Sequence, residues 1–159
     1  MKALGVKVKV FHAIFIGAPG VGKGTQCDKL AAQFGVEHLS SGNIIKQEMR
    51  DGTENGKKAK QYVDSGKLVP DEIVCQMILS KINAIPKEKG WILDGFPRTV
   101  EQGKWLHKQG ILVNDVVEFA GDEAEIKTRL SNRVIDPQTK RTYNKITNPP
   151  PKDIASRCV

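Results

Sequence analysis

Apolar and polar positions divide this chain into short apolar runs and longer amphipathic stretches that alternate along it. The apolar runs lie at 8–16, 36–39, 91–93 and 116–119, and their length predicts β-strands. We expect the runs at 91–93 and 116–119 to be buried. Strands that alternate with helical stretches are typical of an α/β fold with a parallel sheet, which is the fold class that the pattern predicts.

The stretches between these runs predict helices. One covers 23–34, a second carries apolar residues from 70 to 85, and a third ends at Gly110. A fourth is capped by Asp122, and its apolar residues recur every four positions as far as Val134. The pattern therefore predicts that this last helix reaches residue 134.

Two further segments are too polar to form core. The stretch 42–66 has a helical pattern that Gly52 and Gly56 interrupt, so we expect it to bury little and to leave the core as an excursion. The C-terminal segment, 135–159, is polar and contains four prolines, which is typical of a flap. A chain of 159 residues predicts one domain. We expect its core at 1–39 and 71–133, an insertion at 40–70 and the flap at 134–159.

Composition narrows the class of protein. The net charge of +7 calls for an anionic partner, but the basic residues are scattered and aromatic residues are few. A small phosphate-bearing ligand therefore explains the charge as well as nucleic acid does. No run approaches the roughly 20 apolar residues of a membrane-spanning helix, and the apolar stretch at 6–17 runs into a glycine-rich loop rather than a signal-peptide cleavage site.

The three cysteines, Cys27, Cys75 and Cys158, lie far apart, with no CxxC motif and no Cys/His cluster in the sequence. This spacing argues against a disulfide framework or a zinc site as an organising feature. It fits a reducing compartment.

The strongest chemical signal is the sequence GAPGVGKGT at 17–25, which follows a predicted strand and opens a predicted helix. In this context the backbone N–H groups at 20–22 can surround a phosphate, and Lys23 supplies a mobile positive charge. The strict P-loop has Ser or Thr directly after the lysine, whereas here Gly24 stands there and Thr25 follows. We interpret the loop as a P-loop for a nucleoside triphosphate, against the alternative of a glycine-rich turn that binds nothing.

Four more candidate residues follow from the sequence pattern itself. Asp94 ends a predicted buried strand, where ligands bind in open α/β sheets, so its carboxylate can orient the waters of a Mg²⁺ ion; the alternative is a turn residue. Arg98 offers a planar fork of donors for a phosphate, or is a surface arginine. Arg129 and Arg133 are four residues apart and are predicted to share one helix face. The pattern alone favours a binding role for them no more than a charged helix surface exposed to solvent.

Four ordered blocks resemble the adenylate kinase family, and the resemblance extends from residue 8 to about residue 151. They are GAPGVGKGTQ at 17–26, LSSGN at 39–43, GKLVPDE at 66–72 and DGFPRT at 94–99, with Gln102 after the last. The resemblance implies a P-loop NTPase-type three-layer α/β fold with a helical monophosphate-binding insertion and a partial lid, and about four sheet strands rather than the family's five. The family also often has a cis proline at the position of Pro97.

The implied reaction is the reversible, Mg²⁺-dependent transfer of the ATP γ-phosphate to AMP, which gives ADP. One alternative is a kinase of UMP or CMP. Relatives of that kind have Ala at the position of Ser41 and Asn at that of Thr99, so both residues favour AMP. The other alternative is a nucleotide-binding protein with little or no kinase activity.

The resemblance also assigns site residues. Those implied for ATP are Gly20, Val21, Gly22, Lys23, Gly24, Thr25, Arg129 and Arg133. Those implied for AMP are Ser41, Lys46, Lys67, Val69, Gly95, Arg98 and Gln102, of which Gln102 would read the adenine edge. Lys23, Arg98 and Arg133 would be catalytic, while Asp94, through water, and Thr25 would hold Mg²⁺.

This sequence departs from the family in three places. Asn43 stands where the family usually has Asp, and Lys46 replaces an arginine on the AMP phosphate, which keeps the charge but loses the bidentate fork. The family also continues past the position of Val159 with an Arg-Xaa-Asp-Asp block, a further catalytic arginine and the last sheet strand. We therefore expect a C-terminally truncated chain that lacks this core segment, binds ATP and turns over slowly.

The expected partners are ATP and AMP, with no nucleic acid and no membrane. We expect a monomer if the chain is complete and self-association if it is truncated. The expected location is cytoplasmic, with mitochondria and plastids left open.

Overall fold

The computed structural model describes residues 10–139 and 141–159, so Val8 and Lys9 of the first predicted strand lie outside the described residues. The chain divides into two compact units. One comprises the described residues up to Gly17 together with Lys23–Glu118, and the other comprises Ala18–Gly22 together with Phe119–Val159. No helix among the described residues is long and apolar enough to cross a membrane.

The first unit is built on a four-stranded sheet in the order β2-β3-β1-β4. Its strands are β1 (His12–Gly17), β2 (Glu37–Ser40), β3 (Trp91–Asp94) and β4 (Asp115–Phe119). Strand β3 pairs in parallel with both β1 and β2, so that Phe15 and Ser40 lie on either side of Asp94. The α/β fold with a parallel sheet of four strands is thus confirmed, and Asp94 stands at the carboxyl end of a buried strand.

Five helices belong to this unit as the structure describes it. They are α1 (Lys23–Phe34), α2 (Ser41–Asp51), α3 (Glu54–Asp64), α4 (Asp71–Asn83) and α5 (Val100–Lys108). Apolar side chains of α4 pack on those of β1 and β3 to form the core, which includes Ile14, Met77, Ile78, Leu93 and Phe96. Removal of this apolar surface from water is the main force that holds the unit together.

The helical stretch at 42–66 differs from its prediction in two ways. Gly52 does separate two helices, with a left-handed φ of 65°, but Gly56 lies inside α3 and is buried. The stretch also contributes Ile44 and Ala59 to the same core cluster as the sheet. The glycine at 56 therefore permits close helix packing and does not break the helix.

Strand β4 was expected to be buried, and this is wrong for the described chain. Val116 is 62% exposed and Val117 is 38% exposed. The physical reason is its position at the edge of the sheet, where a strand is paired on one side alone.

The second unit contains α6 (Glu123–Ser131), the antiparallel strands β5 (Arg133–Ile135) and β6 (Thr142–Asn144), and a 3₁₀ turn at Ala155–Arg157. The predicted extension of α6 to residue 134 is wrong. The side chain of Asn132 donates to the carbonyl of Thr128 (2.9 Å), and the carbonyl of Asn132 accepts from the backbone of Lys145 (2.8 Å). Because pairing with β6 takes over at this point, the buried residue Val134 lies on a strand.

Candidate active site

The glycine-rich loop joins β1 to α1. Gly20 (φ 85°) and Gly22 (φ 105°) adopt positive φ values that favour glycine. Successive N–H groups in such a conformation form a concavity that binds anions, and the first turn of a helix adds the positive end of its dipole. The Nζ of Lys23 donates to the carbonyl of Gly17 (2.8 Å). The positive φ values and the cation at the start of α1 are features that favour phosphate binding.

Within the second unit, α6 packs against residues 18–22. A Cβ added at Gly20 would lie 2.8 Å from the Cγ of Leu130, so no side chain fits there without a shift. The guanidinium of Arg129 donates to the carbonyl of Val21 (3.5 Å), and it forms an ion pair with Glu125. The structure thus brings Arg129 to the loop residues that the sequence assigned to ATP.

Arg133 was expected on the same helix face as Arg129, and this is wrong. It lies on β5, paired with Asn144, and its guanidinium donates to the hydroxyl of Thr142 (3.4 Å). The helix has already ended at Ser131, so the four-residue spacing no longer corresponds to one face.

Ser41, Gly95 and Arg98 form a second group, which lies entirely in the first unit. The hydroxyl of Ser41 and the Nε of Arg98 both donate to the carbonyl of Gly95, at 2.8 Å and 2.7 Å. Ser41 is buried and Arg98 is exposed. A buried hydroxyl and an exposed guanidinium held at one carbonyl form a polar, positively charged group of the kind that binds a phosphate.

Gln102 is buried beside this group. Its Oε1 accepts from the backbone N–H of Arg98 (2.7 Å), and its Nε2 donates to Asp71 (2.6 Å). Asp71 also accepts from the hydroxyl of Thr99 (3.1 Å), and the peptide bond between Phe96 and Pro97 is cis, as the resemblance implied. Asp71, in the first turn of α4, was not among the predicted site residues, although it lies in the GKLVPDE block at 66–72.

The other residues predicted for AMP lie in different surroundings. Lys46 lines an open cavity of about 390 Å³ together with Met49, Arg50, Lys60 and Asp64. The exposed Lys67 lies in the turn after α3, where its backbone N–H donates to the carbonyl of Tyr62 (2.8 Å). Val69 is half-buried and packs against the core cluster.

The oxygen atoms predicted for Mg²⁺ lie on two elements. Asp94 ends β3, and a Cβ added at Gly24 would lie 3.6 Å from its Oδ2, so the carboxylate faces the first turn of α1. Thr25 is exposed in that same turn. A carboxylate and a hydroxyl are donors that suit this hard cation, which keeps several of its own waters.

A further group was not visible in the spacing of the sequence. Cys27 on α1, His38 on β2 and Asp94 on β3 place one potential ligand atom each within 4.8 Å of one another. Burial raises the pKa of the Cys27 thiol. Burial opposes protonation of His38, but its contacts with Asp94, Cys27 and Asp28 outweigh that effect and raise its pKa to about 10. Because three separate segments supply these residues, no local motif could reveal them.

Comparisons of this sequence with a family model and with known proteins point to the same family. A sequence model described as Adenylate kinase matches residues 15–153. An adenylate kinase of Thermoanaerobacter sp. (strain X514) is 38% identical over 152 residues, which are 92% of this chain and 70% of that protein. The adenylate kinase of Carboxydothermus hydrogenoformans is 40% identical over 141 residues, which are 86% of this chain and 66% of that protein.

Proposed function

Because this chain belongs to the adenylate kinase family, we propose that it catalyses the reversible, Mg²⁺-dependent transfer of the ATP γ-phosphate to AMP, which gives two ADP. The family establishes an enzyme of nucleotide phosphoryl transfer. The acceptor, the metal and the role of each residue are our proposal. The observation that carries it is the group formed by Ser41, Gly95 and Arg98, which supports a site for a monophosphate in addition to the glycine-rich loop.

For the donor nucleotide, we assign the phosphates to the glycine-rich loop. The N–H groups at 20–22 hold the phosphate oxygens, and the ammonium of Lys23 follows the charge that moves with the γ-phosphate. Thr25 and Gly24 open the helix that contributes its dipole. Arg129 supports this assignment because its guanidinium already contacts the backbone of Val21.

We also propose a catalytic role for Arg133. Unlike Arg129, whose support is a contact with the glycine-rich loop, Arg133 is supported by its exposure on β5. Its long side chain is therefore accessible to a phosphate. The hydroxyl of Thr142 is a weak partner at 3.4 Å, and a charge-assisted bond to phosphate is stronger.

For the acceptor, Arg98 clamps the phosphate of AMP and Ser41 fixes the orientation of the Gly95 carbonyl beside it. Phosphoryl transfer brings many negative charges together, so catalysis depends on position and on charge neutralisation. Lys46 adds positive charge without a bidentate fork. We assign the nucleoside part of AMP to the turn that contains Lys67 and Val69.

Gln102 has both ends of its amide engaged, at Arg98 and Asp71. A side-chain amide nitrogen carries two hydrogens, and Asp71 uses one of them. In our proposal, the second hydrogen recognises an acceptor nitrogen of adenine. Asp71 then acts as a positioning residue, since it holds the amide in that orientation.

The oxygen donors of Asp94 and Thr25 fit Mg²⁺, with Asp94 acting through water. When bound, the ion neutralises part of the charge on the phosphates. The protein's own contribution is to hold the carboxylate of Asp94 at the end of β3, where pairing with β1 and β2 fixes its backbone.

Coupled assays of nucleoside diphosphate formation with AMP, CMP and UMP test the acceptor. We expect the highest kcat/KM with AMP, and Arg98→Ala should raise the KM for AMP on the order of 10- to 100-fold, because it removes charged hydrogen bonds. Lys104→Ala is the control, since Lys104 is an exposed cation on the next helix that pairs with Glu101. A preference for CMP or UMP, or an unchanged KM in Arg98→Ala with an unchanged melting curve, would contradict the proposed acceptor site.

A further inference from the structure

Cys27, His38 and Asp94 are brought together by the sheet. In the register of β2 and β3, His38 lies opposite Ile92, so Asp94 is its diagonal neighbour on the same face. Helix α1 adds the fully buried Cys27. Within the described part of the chain, these three form the one group of metal-ligand type whose ligand atoms all lie within 4.8 Å of one another.

One ring nitrogen of His38 contacts a residue outside this group of three. Its Nδ1 lies 2.7 Å from the carboxylate of Asp28, which favours the tautomer with the proton on Nδ1. The buried Nε2 has no hydrogen-bond partner, although it lies 3.5 Å from the carboxylate of Asp94. The raised pKa of His38 means that Nε2 carries a proton facing Asp94 in the metal-free chain, and a bound cation would take the place of that proton.

We propose that Cys27, His38 and Asp94 bind one divalent cation of the Zn²⁺ class. A thiolate, an imidazole and a carboxylate are the ligands that this class of cation prefers, whereas Mg²⁺ prefers oxygen atoms alone. Asp28 completes the arrangement of carboxylate, histidine and metal that orients ligating histidines in known sites. Binding releases the thiol proton of Cys27, and any proton on the Nε2 of His38, to solvent. Water occupies the fourth tetrahedral position.

This site has a consequence for catalysis that rests on the proposed function. Asp94 is also the carboxylate proposed to orient the waters of Mg²⁺, and it cannot serve a Zn²⁺-class ion at the same time. Binding of that ion therefore inhibits phosphoryl transfer, and removal by a chelator restores it.

Titration of the purified, metal-free chain with Co²⁺ tests the site without any assay of activity. Tetrahedral Co²⁺ with a thiolate ligand gives a sulfur-to-metal charge-transfer band, and Zn²⁺ should remove the band at one equivalent. Cys27→Ala should abolish the band. Asp28→Asn changes an exposed residue that contacts the metal only through His38, and it should weaken binding on the order of 10- to 100-fold. Cys75→Ala and Cys158→Ala are the controls, and both should keep the band.

The proposal is overturned if the wild-type chain gives no charge-transfer band, or if the band survives in Cys27→Ala. It is also overturned if Asp28→Asn, with an unchanged melting curve, binds Co²⁺ as tightly as the wild type. A transfer assay with ATP, AMP and Mg²⁺ on the metal-free chain, run before any Co²⁺ is added, separates the two proposals. Transfer without the band removes the metal site and leaves the kinase, whereas the band without transfer removes the kinase and leaves the metal site.

Discussion

At the scale of single residues, the proposed chemistry depends on a few cations whose positions the backbone fixes. Lys23 begins α1 and reaches back to the carbonyl of Gly17, while Arg98 reaches back to the carbonyl of Gly95. Each carbonyl holds the cation near a turn with positive φ. A phosphate can replace the carbonyl as a stronger, charged acceptor.

The substitution Lys23→Met tests the first of these cations. It removes the positive charge and keeps the aliphatic part of the side chain, so we expect transfer to fall on the order of 10²- to 10³-fold, as when one preorganised donor is lost elsewhere. Steady-state ADP formation is the measurement, with a melting curve to confirm the fold. Lys29→Met, an exposed lysine on the same helix, should behave as wild type. Equal rates in the two variants would remove Lys23 from the mechanism.

How well a site residue could be predicted depended on where its partners lie in the sequence. The glycine-rich loop, Ser41 and Arg98 could be predicted as site residues because short motifs contain them. The proximity of Cys27 and His38 to Asp94 could not be predicted from short motifs, since it arises only when α1, β2 and β3 come together. Arg133 was placed on the wrong element, because its spacing from Arg129 fits a helix that other contacts terminate.

At the scale of elements, α2 and α3 are in close contact at Gly56. A Cβ added there would lie 1.9 Å from the carbonyl oxygen of Glu48 and 2.3 Å from its carbonyl carbon. Nearby, the carboxylate of Glu48 accepts from the hydroxyl of Thr53 (2.6 Å) and pairs with Lys81 on α4 (2.8 Å). The three helices therefore meet around one glycine and one buried carboxylate.

The substitution Gly56→Ala should force α2 and α3 apart and lower the free energy of unfolding by roughly 1–3 kcal/mol, the usual cost of overpacking. Gly42→Ala is the matched control. Gly42 lies in α2 with nothing within 4 Å of an added Cβ, so alanine should leave stability unchanged or raise it by up to about 1 kcal/mol. Urea unfolding measures both. A Gly56→Ala variant as stable as Gly42→Ala would show that the two helices can separate at no cost.

In the second unit, the buried Asp136 joins β5 to the 3₁₀ turn. Its carboxylate accepts two hydrogen bonds from Arg157, at 2.9 Å and 2.8 Å, and one from the hydroxyl of Thr139 at 2.6 Å. The bonds from Arg157 hold the pKa of this carboxyl well below its usual range, although burial opposes the shift. The carboxylate therefore stabilises this unit only while it is ionised.

Because the pKa of Asp136 is depressed in the folded state, its contribution is complete above the ordinary value of 3.8. That contribution is lost as the pH falls through the folded value. We therefore expect this loss to lower the urea midpoint from about pH 5 downward, and most steeply below about pH 4. Asp136→Asn should be less stable at neutral pH and should show a smaller drop, while the exposed Asp153→Asn should follow the wild type. Parallel pH profiles for wild type and Asp136→Asn would contradict this role.

The elements themselves were predictable to different degrees for physical reasons. Helix α1 has the bounds that the pattern predicted, because a glycine-rich loop precedes it and Gly35 (φ 66°) ends it. The end of α6 was not predictable, since pairing of β5 with β6 depends on residues some ten positions later. Strand β4 is exposed because it lies at the edge of the sheet. The local pattern of apolar and polar residues does not reveal the order of the strands.

At the scale of the whole molecule, the net charge of +7 suits a substrate pair that carries several phosphates. The general α/β architecture followed from the alternation of strands and helices. The chemical class followed from four ordered motifs, and both agree with the family to which the chain belongs. The division into two units did not follow from the sequence, because the loop residues 18–22 group with the distant segment from Phe119 onward.

The central claim is that this chain transfers a phosphoryl group between nucleotides in both directions. Phosphorus NMR of the protein with ATP, AMP and Mg²⁺ follows every phosphate species in one sample, and a second sample that starts from ADP follows the reverse reaction. We predict two ADP formed for each ATP consumed, without inorganic phosphate, and the same final mixture from both directions. Release of inorganic phosphate in place of ADP, or binding of ATP without any change in the spectra over time, would contradict the account.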